Sequence, residues 1–247
     1  MNEADRLEQL AGDYDPTSDF DRHILSYFAE RIATGIEGKA VLELGCSGGQ
    51  TAIHLARVAA SLDLVDGSAA YIELARSRVQ GAHVRFYHAL FETFEPDRQY
   101  DTIVCSHVME HVENPVAILR RISRWLKAAG SVFVYVPNAL SIHRRLGVEM
   151  GLAPTVYELS KRDHMIGHRR VYDAQTLSKD IEAAGFRHGA LGGVLIKPFP
   201  NAVMSDFADN VIEGLLRLGE TLPEISSDIY FECKNAIPET RDSGLDR

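Results

Sequence analysis

The stretch VLELGCSGGQT, Val41 to Thr51, decides how the chain is read. An apolar run carrying Glu43 breaks into Gly45, Gly48 and Gly49, and TAIHLARVAA follows with a helix-like pattern. Strand, glycine turn and helix in that order let a backbone approach a ligand closely at the turn. Outward from this point the alternation continues. KAVLELG, SLDLVDG, AHVRFYH, YDTIVCS and GSVFVYVPN are short apolar runs separated by segments with apolar residues at helical spacing. Strands alternating with helices predict βαβ units and a mostly parallel sheet. GALGGVLIKP and DIYFECKN add two more strands, with NAVMSDFADNVIEGLLRLGE as a helix between them. The expected fold is therefore α/β, Rossmann-like and doubly wound, with seven strands.

Two helix starts are written in the sequence. Asn114-Pro115 offers an N-cap followed by proline at the first helical position, with Val116, Leu119, Ile122 and Leu126 along one face and Gly130 as the expected stop. Asp173 precedes a second helix with Leu177, Ile181 and Ala184 on one side.

The chain of 247 residues, 45% hydrophobic and 25% charged, has room for one large α/β domain. No run approaches the ~18 apolar residues of a membrane span. The acidic, polar start MNEADRLEQLAGDYDP is unlike a secretory signal, so a cytoplasmic location is expected. Cys46, Cys105 and Cys233 form no CxxC pair and read as buried thiols rather than disulfides or zinc ligands. A net charge of −9 argues against nucleic acid as a partner. A small molecule is expected instead, with no membrane partner and with a homodimer left open.

Two segments exceed a minimal doubly wound sheet. In residues 1–36, FDRHILSYFAERI reads as an amphipathic helix laid across the mouth of the fold, a helical lid; residues 139–172 read as a cap after the fifth strand. Between them lies a ligand-binding half, residues 37–138, and residues 173–235 complete a single domain with a helix and strands. Ligands of open parallel sheets bind outside the carboxyl ends of the strands, where both additions would cover them. The closing PETRDSGLDR reads as a polar tail.

Asp66, in LVDGS at the end of the second strand, is placed to take hydrogen bonds from ribose hydroxyls. From residue 39 to about 190 the chain resembles the class I S-adenosylmethionine-dependent methyltransferases, in the branch that includes the ubiquinone-pathway enzyme. VLELGCSGG, LVDGS, YDTIVCSHVMEHVENP, ISRWLKAAGSVFVYVPN and GHRRVYDAQTLSKDIEAAGF carry the resemblance together. It implies S-adenosyl-L-methionine as cofactor. It also implies that Gly45, Cys46 and Ser47 run beside its methionine part, with Glu43 holding the loop or, indirectly, the ammonium group. Asp66 would bind the ribose diol, Gly67 and Ser68 would flank the adenosine, and Leu90 and Phe91 would wall the adenine. Ser106 and His107 would face the methionine and the transferred methyl. Ser47 stands where relatives usually carry glycine, so either serine takes the unusual dihedral or Gly48 does. The acid that often reads the adenine amine is missing from FYHALFE, where His88 or the backbone near Leu90 would replace it.

A sulfonium methyl is already activated, so the protein need only align a nucleophile, exclude water and accept a proton where one is released. Histidine suits that last task near neutral pH. His107, His111 and His168 are the candidates, with His168 first because it lies in the cap. Glu110 and His111 alone make a poor metal case, and no metal is expected. His143, Arg144, Arg145, His164, His168, Arg169 and Arg170 gather positive charge in an acidic chain. Arg144, Arg169 and Arg170 could fork a carboxylate or phosphate of the acceptor, with Tyr14, Tyr157 and Tyr172 walling the pocket, or they could be ordinary solvated helix ends.

The reading is methyl transfer to an oxygen or nitrogen of a small metabolite, anionic ones included. The rivals are a protein or glycan acceptor, a cofactor-binding regulator without catalysis, and a nicotinamide oxidoreductase, whose GxGxxG register GCSGGQ does not match.

Overall fold

The computed structural model describes residues 2–17 and 20–236, so the expected tail at 238–247 lies outside the described residues. The chain runs through α1 (Glu3–Asp13), α2 (Asp21–Ile36), β1 (Ala40–Leu44), α3 (Gln50–Leu55), β2 (Ser61–Asp66), α4 (Ala69–Arg78), β3 (Val84–His88) and β4 (Tyr100–Ser106). It continues through α5 (Pro115–Trp125), β5 (Leu126–Pro137), α6 (Ile142–Glu149), α7 (Lys161–Met165), α8 (Ala174–Ala183), β6 (Phe186–His188) and β7 (Gly192–Val194). Helices α9 (Asn201–Met204) and α10 (Asp209–Thr221) lead to β8 (Asp228–Asn235).

The strands form one sheet in the order β3-β2-β1-β4-β5-β8-β6, with β7 also paired to β8. The first five pair in parallel and β8 runs antiparallel to β5. Eight strands stand where seven were expected, because the outer edge of β8 is filled twice. Phe186–His188 pairs near its end, from Cys233 to Asn235, and Gly192–Val194 near its start, from Asp228 to Tyr230. Seven positions across the sheet are thus retained.

The central strands are buried on both faces, as continuous Val, Ile and Leu runs require. Alternation sorts their side chains. Leu42, Leu44, Ile103, Val132 and Val134 face α5 and α8, through Ile118, Leu119, Ile122, Leu177 and Ile181. Val41, Leu62, Leu64, Val104 and Tyr135 face the opposite layer, including Ile24, Phe28, Ile32 and Ile36 of α2.

Both helix starts form as expected. Asn114 accepts the N–H of Ala117 ahead of Pro115, and Asp173 makes a reciprocal capping box with Thr176. Gly130 does not stop α5. The helix ends at Trp125, because Leu126 turns to extended backbone and pairs with Tyr100, leaving Gly130 inside β5. The helix expected over 201–220 is broken at 205–208, where Ala208 is extended. The helix in FDRHILSYFAERI also sits differently from expectation. Its apolar residues recur every fourth position and lay α2 on the sheet layer, so only Asp21 and Leu25 of its first turns reach the mouth. Helix α1 packs on α4 and contributes Leu7 and Leu10 to the mouth.

Candidate functional site

The carboxyl ends of β2, β1 and β4 lie side by side, at the ~4.8 Å strand spacing, and bring Asp66, the glycine loop and Ser106-His107 to one edge. A cavity of about 200 Å³ opens there. Glu43, Gly45, Cys46, Ser47, Asp66, Gly67, Phe91, Ser106, His107, His111, His168 and Tyr14 of the sequence-derived residues all line it.

The loop takes its shape from three left-handed residues: Gly45 at φ 71°, Ser47 at φ 44° and Gly49 at φ 75°. Ser47 itself carries the left-handed dihedral, and Gly48 does not. A Cβ on Gly45 would stand 2.8 Å from Cγ2 of Val108, so the close approach requires glycine there. Asp66 fastens the loop: Oδ2 accepts the N–H of Ser47 at 2.9 Å and Oδ1 that of Ser68 at 2.9 Å. Burial pushes its carboxyl up, and the two N–H bonds pull against that. Glu43 is buried in the cavity wall. Burial, and then the Asp66 carboxylate, hold its carboxyl well above the usual range, while Thr51 bonds to it. Oε2 of Glu43 and Oγ of Ser106 have no hydrogen-bond partner among the described residues.

At the other side of the cavity three histidines meet. Asp163 holds Nδ1 of His168 through Oδ1 at 3.0 Å, and Nε2 of His168 lies 4.0 Å from Glu110. His111 packs edge-on to His168 at 4.6 Å. Burial, and then the nearby His168 and His107, push His111 far down, so it is neutral. Burial opposes the charge of Asp163, but His168, Arg144 and the Ser160 cap outweigh it and hold its carboxyl well below the usual range. Glu110, His111 and His168 each bring one donor atom within 4.8 Å of the others, adding His168 to the pair that the sequence offered. Among the described residues no fourth histidine, cysteine or acid joins that group.

His107 sits at φ 53° at the tip of β4, and its Nε2 is 2.9 Å from Oδ1 of Asp228. The antiparallel course of β8 is what brings its first residue, Asp228, to the carboxyl edge beside Pro137.

Several expected ligand residues do other work. Arg170 donates to the carbonyls of Met109, Val112 and Glu113, and Arg169 to that of His111 and to Glu3. Arg144 donates to the carbonyls of Val156 and Glu158 and the carboxylate of Asp163, while Arg145 donates to the carbonyl of Leu140. None of these four lines the cavity, because loops without a ladder need donors for their carbonyls and the guanidinium forks supply them. His143 is no cation: burial, with Lys197 and Arg144 nearby, pushes it down to about 3. Tyr172 is buried with its hydroxyl on Asp180, and Tyr157 bonds Asp173. Ser68 caps α4 and bonds Glu8 of α1, and Leu90 lies behind Gly67, so neither lines the cavity. His88 bonds the Gly67 carbonyl at 3.2 Å.

Sequence reading missed Leu7 and Leu10 of α1, Asp21, Tyr71, Arg78 and Ile166 in the lining, and Asp163 and Asp228 behind the histidines. The capping pattern S-x-x-D at Ser160 could have marked Asp163. Nothing local marks Asp228.

A methyltransferase-domain family profile matches residues 18–188, and the chain belongs to that family. It is 30% identical over 158 residues to the ubiquinone biosynthesis O-methyltransferase of Pasteurella multocida, covering 56% of this chain and 65% of that protein. It is 34% identical over 139 residues to the protein of the same name from Proteus mirabilis, covering 55% and 56%. The matched region thus spans less than two thirds of these relatives. Among solved structures, the magnesium protoporphyrin IX methyltransferase of Synechocystis with bound SAH shares the fold with a TM-score of 0.60 at 14% identity, covering 96% of this chain and 89% of that one. The N-methyltransferase NodS of Bradyrhizobium japonicum in complex with S-adenosyl-L-homocysteine does so with a TM-score of 0.60 at 15% identity, covering 95% and 99%. No helix among the described residues is long and apolar enough to cross a membrane.

Proposed function

We propose that the chain is an S-adenosylmethionine-dependent methyltransferase that moves a methyl group to an oxygen of a small molecule by in-line displacement. The observation that carries this reading is that the glycine loop, Asp66 and the three histidines line one and the same cavity. Relatives named O-methyltransferases favour oxygen over nitrogen. The cavity's modest volume, with α1 over it, favours a small acceptor over a polymer.

The cavity's residues fit such a cofactor. Each Asp66 oxygen spends one lone pair on a backbone N–H and keeps another for a ribose hydroxyl. The unpartnered Glu43 and Ser106 oxygens stand by the glycine loop, where a polar amino-acid end would lie. Phe91 offers a flat apolar wall. When bound, the cofactor supplies an electrophilic methyl group.

The protein's share is geometry and proton handling. Asp66 and the loop orient one end of the cavity, and Leu7, Leu10 and Leu25 keep water out. Asp163 fixes a proton on Nδ1 of His168, which leaves Nε2 to take the acceptor's hydroxyl proton.

Calorimetric titration with S-adenosylhomocysteine tests the reading. The protein should bind it and the Asp66→Ala variant should lose most of the affinity; a protein that does not bind it overturns the assignment.

A further inference from the structure

His107 is strained, paired and aimed at the cavity, and proton removal by His168 does not use it. A non-glycine residue at positive φ persists only where its surroundings over-determine it, and such residues cluster at working sites. Here the ring is fixed on two sides. Asp228 holds Nε2 at 2.9 Å, and Tyr135 stacks on the ring at 5.0 Å and 23°, itself backed by Phe28 at 4.2 Å and 8°. Asp228 is buried, and its Oδ2 has no partner among the described residues, so the carboxylate is dedicated to this imidazole. Nδ1 has no hydrogen bond among the described residues, and His107 is part of the cavity lining.

Along the carboxyl edge, Asp66 on β2 and His107 after β4 are separated by β1, about two strand spacings or ~10 Å. That places His107 beyond the sugar-binding acid, on the side of the acceptor.

We propose that the His107–Asp228 pair receives the acceptor oxygen: Nδ1–H of His107 donates to it, and Asp228 positions the ring. The acceptor class this fits is an acidic hydroxyl, a phenol or enol, held as its oxyanion once its proton has passed to Nε2 of His168. The proposal rests on the methyltransferase reading. Ion pairing inside the dyad leaves it neutral, so it stabilises an oxyanion by a directed hydrogen bond rather than by a field of positive charge. Among the described lining residues the arginine is Arg78, which is engaged with Gly48 and Gln50 beside the glycine loop.

Charge state agrees as well. The groups acting on His107 are Asp228 from β8, Glu110 and His111 from the loop after β4, and Asp21 from α2. Burial works against the imidazolium, but Asp228, then Glu110 and Asp21, outweigh it and raise His107 to about 9. The donor is therefore present below about pH 9 and is lost above it.

The test uses the full chain saturated with S-adenosylhomocysteine and 4-nitrocatechol as probe, whose visible absorbance distinguishes phenol from phenolate. Its dimethyl ether is the control. The bound probe should show the phenolate spectrum at a pH where the free probe is largely neutral, and should bind at least tenfold more tightly than the ether. His107→Gln should cost tenfold or more in probe affinity and return the bound spectrum to the solution profile. Asp228→Asn should move the alkaline loss of binding down by more than one pH unit, a displacement that a merely structural role would not cause. Binding of the neutral phenol, equal binding of probe and ether, or an unmoved alkaline limit in Asp228→Asn overturns the proposal. If His107→Gln does not fold, the Asp228→Asn profile decides alone. Failure of the unmodified protein to bind S-adenosylhomocysteine at the outset is a different result and overturns the methyltransferase reading itself.

Discussion

The backbone N–H of Ser47 donates to Oδ2 of Asp66 at 2.9 Å, tying a residue held at φ 44° to the acid at the tip of the second strand. The loop and the acid at the strand tip are therefore one mechanical unit. A left-handed serine costs roughly 1 kcal/mol, against which glycine loses somewhat more entropy on folding. Ser47→Gly should raise stability by about 0.5 kcal/mol, which is about 1–2 °C in melting temperature for a domain of this size. Thermal denaturation checks this, and a lower melting temperature would show that the serine side chain contributes more than its dihedral costs.

Asp66→Asn puts an amide where two backbone donors expect oxygens. One N–H loses its acceptor, and S-adenosylhomocysteine affinity should fall about 30- to 100-fold, or ~2–3 kcal/mol. Burial raises the Asp66 carboxyl above the usual aspartate range. A raised carboxylate is ionised only above its shifted value, so affinity is full well above that value and is lost as pH falls through it. Titrations at descending pH should show this loss setting in above the ordinary aspartate value of ~3.9, and the Asn variant should be flat over the same range.

His168→Ala should lower kcat by about 10²-fold or more for a hydroxyl acceptor while leaving S-adenosylhomocysteine affinity within a few-fold. Asp163→Asn should do more, since Asp163 also holds Arg144 and the Ser160 cap, and a cost of ~3 kcal/mol is expected for opening that buried pair. The Asp163 carboxyl is held low, so its stabilisation is fully present above the unfolded value of ~3.9 and is lost as pH falls below it. Hydrogen exchange over residues 160–170 should report this: protection is lost on acidification in the parent and at neutral pH in the variant.

Arg170→Met separates two readings of the arginines. Its guanidinium serves the carbonyls of Met109, Val112 and Glu113, so the variant should lose about 2 kcal/mol of stability in urea denaturation. The ratio of KM values for an anionic and a neutral acceptor should stay unchanged; a selective rise for the anionic one would restore Arg170 to the substrate site.

Where short-range chemistry set the outcome, the sequence was sufficient. Strand and helix alternation, the Asn114 and Asp173 caps, the glycine loop and Asp66 all depend on residues within a few positions of one another, and they stand where the sequence placed them. The stop of α5 did not follow Gly130, because pairing of Leu126 with Tyr100 across the sheet overrode the local signal. His168 was legible as a candidate, but the carboxylate that orients it was visible only as a capping residue.

The sequence by itself determined the α/β alternation and the glycine-loop side of the cavity, because periodicity, capping and turn chemistry are properties of neighbours in the chain. Tertiary structure alone decided the histidine side. Asp228 reaches His107 across 121 residues because β8 runs antiparallel to β5, and Arg170 turns from the cavity to the loop carbonyls of Met109 and Glu113, 61 and 57 residues away. Both outcomes depend on which backbone groups the sheet leaves unpaired and where its strands end, and neither is set until the sheet has closed.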